Sequence, residues 1–334
     1  MSEEKLYRDK MMQISAILSD YDGTLCPAAS VRGNGGSKIP PKLEKILWDI
    51  SKEMPICIVS SKDFFFLHDK TKFAKVVSCM MGIETLVLEN HHYSKSLSGK
   101  KKKKIDYDKT SMTGLQDNDD DNFQCIAARH ILSDKQILQN NSRLLCDIVN
   151  EIVLNFKDIS VEQKFTTDKE ILAGVTFDYR HNIKDWQSYK RNTEPLLKQA
   201  ILQKIMLQQQ QYKPYPIDEK DKEHQQLHIQ TYSTHPFIDV YNIKSDKAVA
   251  YDITVSQLAS FHDRNVMTKK VLYLGDSEND NPAFRKADVS VGIRSDKRVN
   301  PKLDSKYIIQ FSELAAFLEQ LQNNGFVFSK NLLN

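Results

Sequence analysis

The chain has 334 residues and a formal net charge of +3, and 40% of its residues are hydrophobic while 27% are charged. The length favours two domains, and the nearly balanced charge gives no case for nucleic acid or an anionic membrane as the main partner. No apolar run approaches the length of a membrane span, and the N-terminus has no stretch of signal-peptide type, so we expect a cytoplasmic protein. The five cysteines are odd in number and widely spaced, which is typical of reduced thiols.

Strand-like apolar runs alternate with helical spacing in the first part of the chain. In chain order we predict strand 13–20, helix 42–52, strand 55–59, helix 64–75 and strand 85–88. These strands are apolar throughout, which is typical of strands that are buried on both faces. The pattern predicts an α/β fold with a parallel sheet covered by helices.

The pattern changes after residue 92. Lysines at 100–104 and an acidic run at 117–122 predict solvated loops. The segments predicted after them are helix 131–152, strands 160–165 and 172–179, helix 186–211, and strands 228–231 and 237–243. We therefore predict an α+β domain of residues 93–243, inserted into an α/β core of residues 1–92 and 244–334.

The α/β rhythm returns towards the end of the chain. The predicted elements are helix 247–261, strand 271–275, a helix from 282, strands 289–293 and 307–311, and a closing helix from 312. These strands are expected to complete the parallel sheet.

Two acidic turns directly follow apolar strands. Asp20 and Asp22 follow the first strand, and Asp276 and Asp280 follow a strand far along the chain. Because ligands bind beyond the carboxyl ends of parallel strands, we expect the two turns to meet in one crevice. Mg²⁺ prefers oxygen ligands, which Asp20, Asp276 and the backbone carbonyl of Asp22 could supply, and a carboxylate there could attack phosphorus.

Two further polar groups occupy comparable places. Ser60 follows the second strand, and Lys247 begins a helix. A hydroxyl and an ammonium group can neutralise phosphate oxygens by hydrogen bonding and charge. Lys244 is an alternative to Lys247, and we favour Lys247 because it opens the helix that precedes the last acidic turn.

Four segments, in this order, resemble the four motifs of the haloacid dehalogenase (HAD) superfamily of phosphatases. They are Asp20-Tyr21-Asp22-Gly23-Thr24-Leu25, Ile58-Val59-Ser60, Lys247 and Gly275-Asp276-Ser277-Glu278-Asn279-Asp280. The insert lies between the second and third motifs, as in the subgroup with a large α/β cap. The resemblance implies a Rossmann-like HAD core, with a cap at 93–243 that determines substrate specificity.

The resemblance also implies a Mg²⁺-dependent phosphoric monoester hydrolase. Asp20 would attack phosphorus to form an aspartyl phosphate, and Asp22 would act as general acid and then as general base. The implied metal residues are Asp20, Asp22, Asp276 and Asp280, and the implied substrate contacts of the core are Ser60, Ser61, Lys247 and Asn279.

The implied substrate is a sugar phosphate, because residues 20–27 resemble the first motif of trehalose-6-phosphate phosphatases. Residues 161–164 and 175–180 resemble the cap strands of those enzymes, with Asp178 where histidine is usual. The implied contacts to sugar hydroxyls are Glu162, Lys164 and Arg180. The last acidic turn and Ser60-Ser61-Lys62 are more similar to the corresponding motifs of sucrose-phosphate or mannosyl-3-phosphoglycerate phosphatases. The motifs therefore leave all three sugar phosphates as alternatives.

Two other functions remain alternatives. A sugar phosphomutase shares the fold and the Asp-x-Asp pair, and a non-catalytic binding or regulatory protein could keep the fold. In each case we expect a small-molecule sugar phosphate as ligand and a monomer or homodimer as the assembly.

Overall fold

The computed structural model describes residues 11–27, 38–89, 126–180, 185–211, 226–261, 270–295 and 301–333. The loops predicted at 100–104 and 117–122 lie outside these ranges. Across the described ranges, no helix combines the length and the apolar character that crossing a bilayer requires.

The strands form two sheets. In chain order they are β1 (Met12–Ser19), β2 (Ile56–Val59), β3 (Val76–Cys79), β4 (Glu84–Leu88), β5 (Ile126–Ile131), β6 (Ser160–Phe165), β7 (Leu172–Asp178), β8 (His228–Thr231), β9 (Phe237–Tyr241), β10 (Lys270–Gly275), β11 (Val289–Arg294), β12 (Tyr307–Gln310) and β13 (Val327–Phe328). The larger sheet has the order β12-β11-β10-β1-β2-β3-β4-β5, with β13 paired to β1. The smaller sheet has the order β6-β7-β9-β8.

The helices connect and cover these sheets. They are α1 (Pro41–Ser51), α2 (Phe64–Leu67), α3 (Lys135–Asn155), α4 (Trp186–Asn192), α5 (Glu194–Gln211), α6 (Lys247–Phe261), α7 (Asn281–Lys286) and α8 (Leu314–Asn323). Short 3₁₀ turns occur at His68–Lys70, Met80–Gly82, Glu278–Asp280, Phe311–Glu313 and Lys330–Leu333.

The centre of the larger sheet is parallel. β1 lies between β10 and β2 and runs parallel to both, and the parallel pairing continues to β12 on one side and β3 on the other. Alternate side chains enter cores on opposite faces, as Ile17 does on one face and Leu18 on the other. This arrangement confirms the predicted α/β fold with a mostly parallel sheet.

Three segments of this sheet differ from the prediction, and one of them is the unpredicted β13, which pairs antiparallel with β1. The helix predicted for 64–75 ends at Leu67, and the unpredicted strand β3 follows. A four-residue apolar run gives too short a pattern to separate strand from loop. β5 lay within the predicted insert, but it pairs antiparallel with β4 as the edge of the larger sheet. The boundary at residue 93 therefore assigns β5 to the wrong sheet, while the division into core and insert stays a prediction.

The smaller sheet is antiparallel and has one apolar face. Val175 and Phe177 of β7 pack with α3 and α5 in a separate core. The residues between them in β7 point to the opposite face, because side chains alternate along a strand. Thr176 is one of these, and it lies opposite Asp239 of β9. The second face of this sheet is therefore polar, and it lines a cleft.

Candidate active site

The two acidic turns meet beside the centre of the larger sheet. Ser19 pairs with Leu274 in the parallel register of β1 and β10, and the N–H of Asp20 donates to the Leu274 carbonyl at 2.9 Å. The residues that follow the two strands are therefore neighbours, although more than 250 positions separate them in sequence. Asp20 is 5% exposed and Asp276 is 9% exposed, so both carboxylates are largely withdrawn from water.

Gly23 allows the two turns to pack closely. Its φ of +87° lies in the left-handed region, and a Cβ at this position would lie 2.0 Å from Oδ2 of Asp276. The neighbouring Thr24 hydroxyl donates to Oδ1 of Asp276 at 3.3 Å. The Gly-Thr pair that follows Asp22 thus lets the first turn hold the acid of the second.

Lys247 lies between carboxylates from both turns. Its side chain is fully buried, and Nζ is 3.0 Å from Oδ1 of Asp20 and 2.6 Å from Oδ1 of Asp280. It is the first residue of α6, whose first turn is capped by the Asp246 carboxylate through the N–H groups of residues 248 and 249. The structure places Lys247 in this site, whereas the alternative Lys244 is exposed.

Asp280 uses both of its oxygens in hydrogen bonds. Oδ1 accepts from Lys247 and from the Tyr273 hydroxyl at 2.7 Å. Oδ2 accepts from the N–H groups of Asp276 and Ser277 at 3.1 and 3.0 Å. These bonds favour a role in holding Lys247 and the second acidic turn, beside the predicted role at the metal.

The electrostatics of the cluster depend on burial and on Lys247. The pKa of Asp20 is raised to about 7, because burial raises it most and the carboxylates of Asp280 and Asp22 add to the rise, while Lys247 opposes it. Burial alone would lower the pKa of Lys247, but Asp20 and Asp280 outweigh it and raise that pKa. The site therefore carries more negative charge than one lysine can offset.

A divalent cation fits this excess of negative charge. Carboxylate oxygens of Asp20, Asp276 and Asp280 lie within 4.8 Å of one another. An all-oxygen set of this kind suits Mg²⁺. The Asp22 carboxylate lies outside this group, so Asp22 would reach a metal through its backbone carbonyl, as the sequence suggests.

The loop after β2 is fixed by an unusual turn. Met80, Met81 and Gly82 have φ values of +50°, +60° and +94°. The N–H groups of Met80 and Met81 donate to the carbonyls of Lys62 and Ser60, both at 3.0 Å. The Met81 carbonyl accepts from the Ser245 hydroxyl, two residues before α6. One turn therefore positions the two segments that carry Ser60 and Lys247.

Ser60 and Ser61 differ in their access to the site. Ser60 is 1% exposed, and its hydroxyl accepts from the Lys62 N–H at 3.2 Å. Ser61 and Lys62 line the cleft, whereas Ser60 is not among the lining residues. A phosphate contact from Ser60 stays a prediction, and the next two residues are better placed for one.

A cleft that is partly open to solvent lies between the acidic cluster and the smaller sheet. Residues from both acidic turns, from the loop after β2 and from the smaller sheet form its walls. They are Asp20, Asp22, Gly23, Ser61, Lys62, Glu162, Lys164, Thr176, Arg180, His235, Phe237, Asp239, Asp276, Ser277 and Asn279. The structure thus brings the predicted Glu162, Lys164, Arg180 and Asn279 to the same cleft as Asp20.

A buried polar network forms the floor of the cleft on the smaller sheet. Lys164 donates to Oδ1 of Asp239 at 3.2 Å, the Thr176 hydroxyl donates to the same oxygen, and Tyr232 donates to Oδ2 at 2.8 Å. Burial opposes ionisation of Asp239, but Lys164 and the hydroxyl donors outweigh it and lower its pKa. Neighbouring Glu162 accepts from Lys62, in the loop after β2, at 2.8 and 2.7 Å.

Several cleft residues were not predicted from the sequence. Asp239, Thr176 and His235 were not singled out, and Lys62 was noted only within a motif. The alternation of polar and apolar residues in β7 and β9 could have placed Thr176 and Asp239 on one face, but it could not show that this face lines the cleft.

Comparisons with known proteins agree with this fold. Residues 17–313 match the family of haloacid dehalogenase-like hydrolases. The C-terminal domain of C. albicans trehalose-6-phosphate phosphatase is similar in structure, with 16% identity over 93% of each chain and a TM-score of 0.53. A haloacid dehalogenase-like hydrolase from Bacteroides thetaiotaomicron has 11% identity over 92% of this chain and 100% of its own, with a TM-score of 0.51.

No curated protein sequence matches the chain significantly. At 16% and 11% sequence identity, these two structures indicate a shared fold with the chain. The family match spans most of the chain and includes all four motifs, which confirms the resemblance found in the sequence. The chain therefore belongs to the haloacid dehalogenase-like hydrolases.

Proposed function

We propose that this protein is a Mg²⁺-dependent phosphatase that hydrolyses a sugar phosphate through an aspartyl-phosphate intermediate. The observation that carries the proposal is the buried Asp20, which is held by Lys247 beside Asp276 and faces a polar cleft. The similar structure of a trehalose-6-phosphate phosphatase is consistent with it.

The residues of the chain can carry out both steps. In the first step an Asp20 oxygen forms a bond to phosphorus while the bond from phosphorus to the sugar oxygen breaks, and Asp22 gives that oxygen a proton. In the second step Asp22 takes a proton from water, the water oxygen bonds to phosphorus, and phosphate leaves Asp20. Lys247 favours the ionised form of Asp20 and orients its carboxylate. A bound Mg²⁺, held by Asp20, Asp276 and the Asp22 carbonyl, would supply positive charge for the phosphoryl oxygens.

The charges of the cleft wall favour a neutral leaving group. Within the described ranges, three cations line the cleft and each is paired with a carboxylate: Lys62 with Glu162, Lys164 with Asp239 and Arg180 with Asp178. Such a wall offers hydrogen bonds to hydroxyl groups but no excess positive charge for a second anion. A sugar such as trehalose or sucrose fits this wall better than mannosyl-3-phosphoglycerate, whose leaving group carries a carboxylate.

Phosphate release tests the proposal. Trehalose-6-phosphate, sucrose-6-phosphate, mannosyl-3-phosphoglycerate and hexose phosphates should be assayed with Mg²⁺ and with EDTA, and we expect turnover of a neutral sugar phosphate with Mg²⁺ only. Asp20→Asn should reduce kcat by a factor on the order of 10³ or more. The surface variant Asp49→Asn in α1 is the matched control, and it should keep full activity.

Two outcomes would replace the proposal. An isomerised sugar phosphate without free phosphate would identify a phosphomutase. Tight binding of a sugar phosphate without turnover of any ester would identify a binding protein. Full activity of Asp20→Asn would refute the assigned nucleophile.

A further inference from the structure

Apolar side chains are exposed on the two helices that cover the smaller sheet. α3 and α5 pack along each other on the apolar face of that sheet, and their inner residues, such as Ile152 and Ile201, are buried there. Within the described ranges, six of the ten large apolar side chains that are exposed belong to these helices, namely Val153, Leu154, Leu196, Leu202, Met206 and Leu207. Such a concentration is typical of an interaction surface, whereas single exposed apolar residues are not.

The exposed residues of α5 form a stripe along the helix. Leu197, Ile201 and Ile205 are buried at four-residue spacing and define the inner side of α5. At 3.6 residues per turn, the outer side is formed by Leu196, Gln199, Leu202, Gln203, Met206 and Leu207, all of which are exposed. A surface helix usually turns charged and polar residues to water, so the apolar residues on this side of α5 call for a partner.

Leu154 of α3 extends this surface. Glu151 of α3 forms an ion pair with Lys204 of α5 at 3.1 Å, which identifies the side of α3 that faces α5. Leu154 follows Glu151 by three residues, so it lies on the same side of α3. It is 76% exposed. We call Leu154 and the six outer residues of α5 the outer stripe.

The composition of the outer stripe favours a second copy of the chain as the partner. All seven residues are uncharged, and of the nearest lysines Lys204 is paired with Glu151 while Lys198 lies at the edge, one turn before Leu202. A surface that pairs with its own copy about a two-fold axis brings each charge near an identical charge, so charged surfaces resist such pairing. An uncharged apolar stripe avoids this repulsion and offers nothing to an oppositely charged partner.

The area of the outer stripe suits a reversible dimer. With exposed surface on the order of 100 Å² for each side chain, the stripe would bury up to roughly 700 Å² on each copy. A standard specific interface buries about 800 Å² per partner, and an obligate dimer buries more. The pairing should therefore depend on concentration, with a Kd in the micromolar range.

We propose that the outer stripe pairs with the same stripe of a second copy, about a two-fold axis near Gln203, and that the protein forms a homodimer in this way. Such an axis makes the two α5 helices antiparallel and brings Leu196 of one copy towards Leu207 of the other. The cleft lies on the opposite face of the smaller sheet, so both clefts stay open in the dimer. The inference goes beyond the proposed function and does not depend on which ester is cleaved.

The molar mass in solution tests the pairing. Multi-angle light scattering over about 1 to 200 µM protein should give a mass that rises from 38.5 kDa towards twice that value. Met206→Ser should shift this rise to at least about tenfold higher concentration, because it removes apolar surface from the interface. A mass of one chain at every concentration, or a dimer that Met206→Ser leaves unchanged, would overturn the proposal.

Gln203 allows a charge-exchange test. Its side chain is exposed and lies near the proposed axis, so Gln203→Glu and Gln203→Lys should each fold normally but place like charges together. Each variant alone should associate at least about tenfold more weakly than the parent protein, and an equimolar mixture of the two should recover the association. If each variant associates as the parent does, or if the mixture stays monomeric, the pairing is wrong.

Two controls separate this inference from the proposed function. Gln320→Glu, at an exposed position of α8, is the matched control and should leave the molar mass unchanged. Circular dichroism should show the same fold in all variants. The Gln203 variants should release phosphate as the parent protein does, and the measurement of mass stays valid if no sugar phosphate is cleaved.

Discussion

Replacing Lys247 with methionine should destabilise the protein strongly in the absence of divalent cations. The lysine is fully buried, 3.0 Å from Asp20 and 2.6 Å from Asp280, so the variant leaves two buried carboxylates without their cation. Removing one partner of a buried ion pair costs about 3–5 kcal/mol. At roughly 2–3 °C per kcal/mol for a chain of this size, Tm should fall by about 10 °C.

The pH dependence gives this prediction a second readout. The pKa of Lys247 is raised above its unfolded value, so its stabilising contribution is complete below the unfolded pKa and disappears only as pH rises through the still higher folded value. At pH 7 the whole effect should therefore be visible. In the variant Asp20, whose pKa burial already raises, can take up a proton, so the loss of stability should shrink as the pH is lowered from 8 to 5.

Thermal and urea unfolding in EDTA, followed by circular dichroism, measure both effects. The matched control is Lys286→Met, which removes an exposed ion pair with Asp252 and should change stability by only about 0–1 kcal/mol. The reasoning is refuted if Lys247→Met unfolds within about 2 °C of the parent protein, since the pair would then contribute no more than a surface pair.

Three further predictions concern the same cluster. Gly23→Ala should abolish phosphate release and lower the free energy of unfolding by about 1–3 kcal/mol, as measured by thermal unfolding. The reason is that Gly23 has a φ of +87° and that a Cβ there would overlap the Asp276 carboxylate. A fully active variant would contradict this packing. Because the pKa of Asp20 is raised, the folded state in EDTA binds one more proton than the unfolded state between about pH 4 and 7. The free energy of unfolding should therefore fall as the pH rises through that range. Urea unfolding at several pH values should show this fall in the parent protein and not in Asp20→Asn. Mg²⁺ should raise the Tm of the parent protein but not of Asp276→Asn, and an equal rise in both would place the ion elsewhere.

The acidic site could be predicted from the sequence because its geometry follows from strand order. Each acidic turn comes directly after an apolar strand, and parallel strands bring their carboxyl ends to one edge. The sequence does not state that β1 and β10 are neighbours, but the family motifs imply it, and the pairing of Ser19 with Leu274 bears this out. Lys247 was preferred to Lys244 because it begins a predicted helix. In the structure the Lys247 side chain reaches Asp20 from that position.

The cleft wall could not be predicted in the same way. The alternation in β9 places Asp239 on the face opposite Ile238 and Val240, but it does not show that this face lines the cleft. The pairing of Lys62 with Glu162 joins a loop of the larger sheet to a strand 100 positions away in the smaller sheet, and no local pattern indicates such a contact. β5 was not predicted as a strand, and its residues fell within the insert because the boundary was set where the pattern changes, at residue 93.

The turn at Met80–Gly82 limits how this cleft could be redesigned. The N–H groups of Met80 and Met81 donate to the loop after β2 that contains Lys62, and the Met81 carbonyl accepts from Ser245, just before α6. Gly82 packs so closely against α6 that a Cβ would lie 2.8 Å from Cα of Ala250. One turn thus fixes the positions of both the loop after β2 and the start of α6. A redesign of the loop after β2 for a different ester would also shift the ammonium group of Lys247 beside Asp20. A loop taken from another hydrolase should therefore be transferred together with the turn at Met80–Gly82.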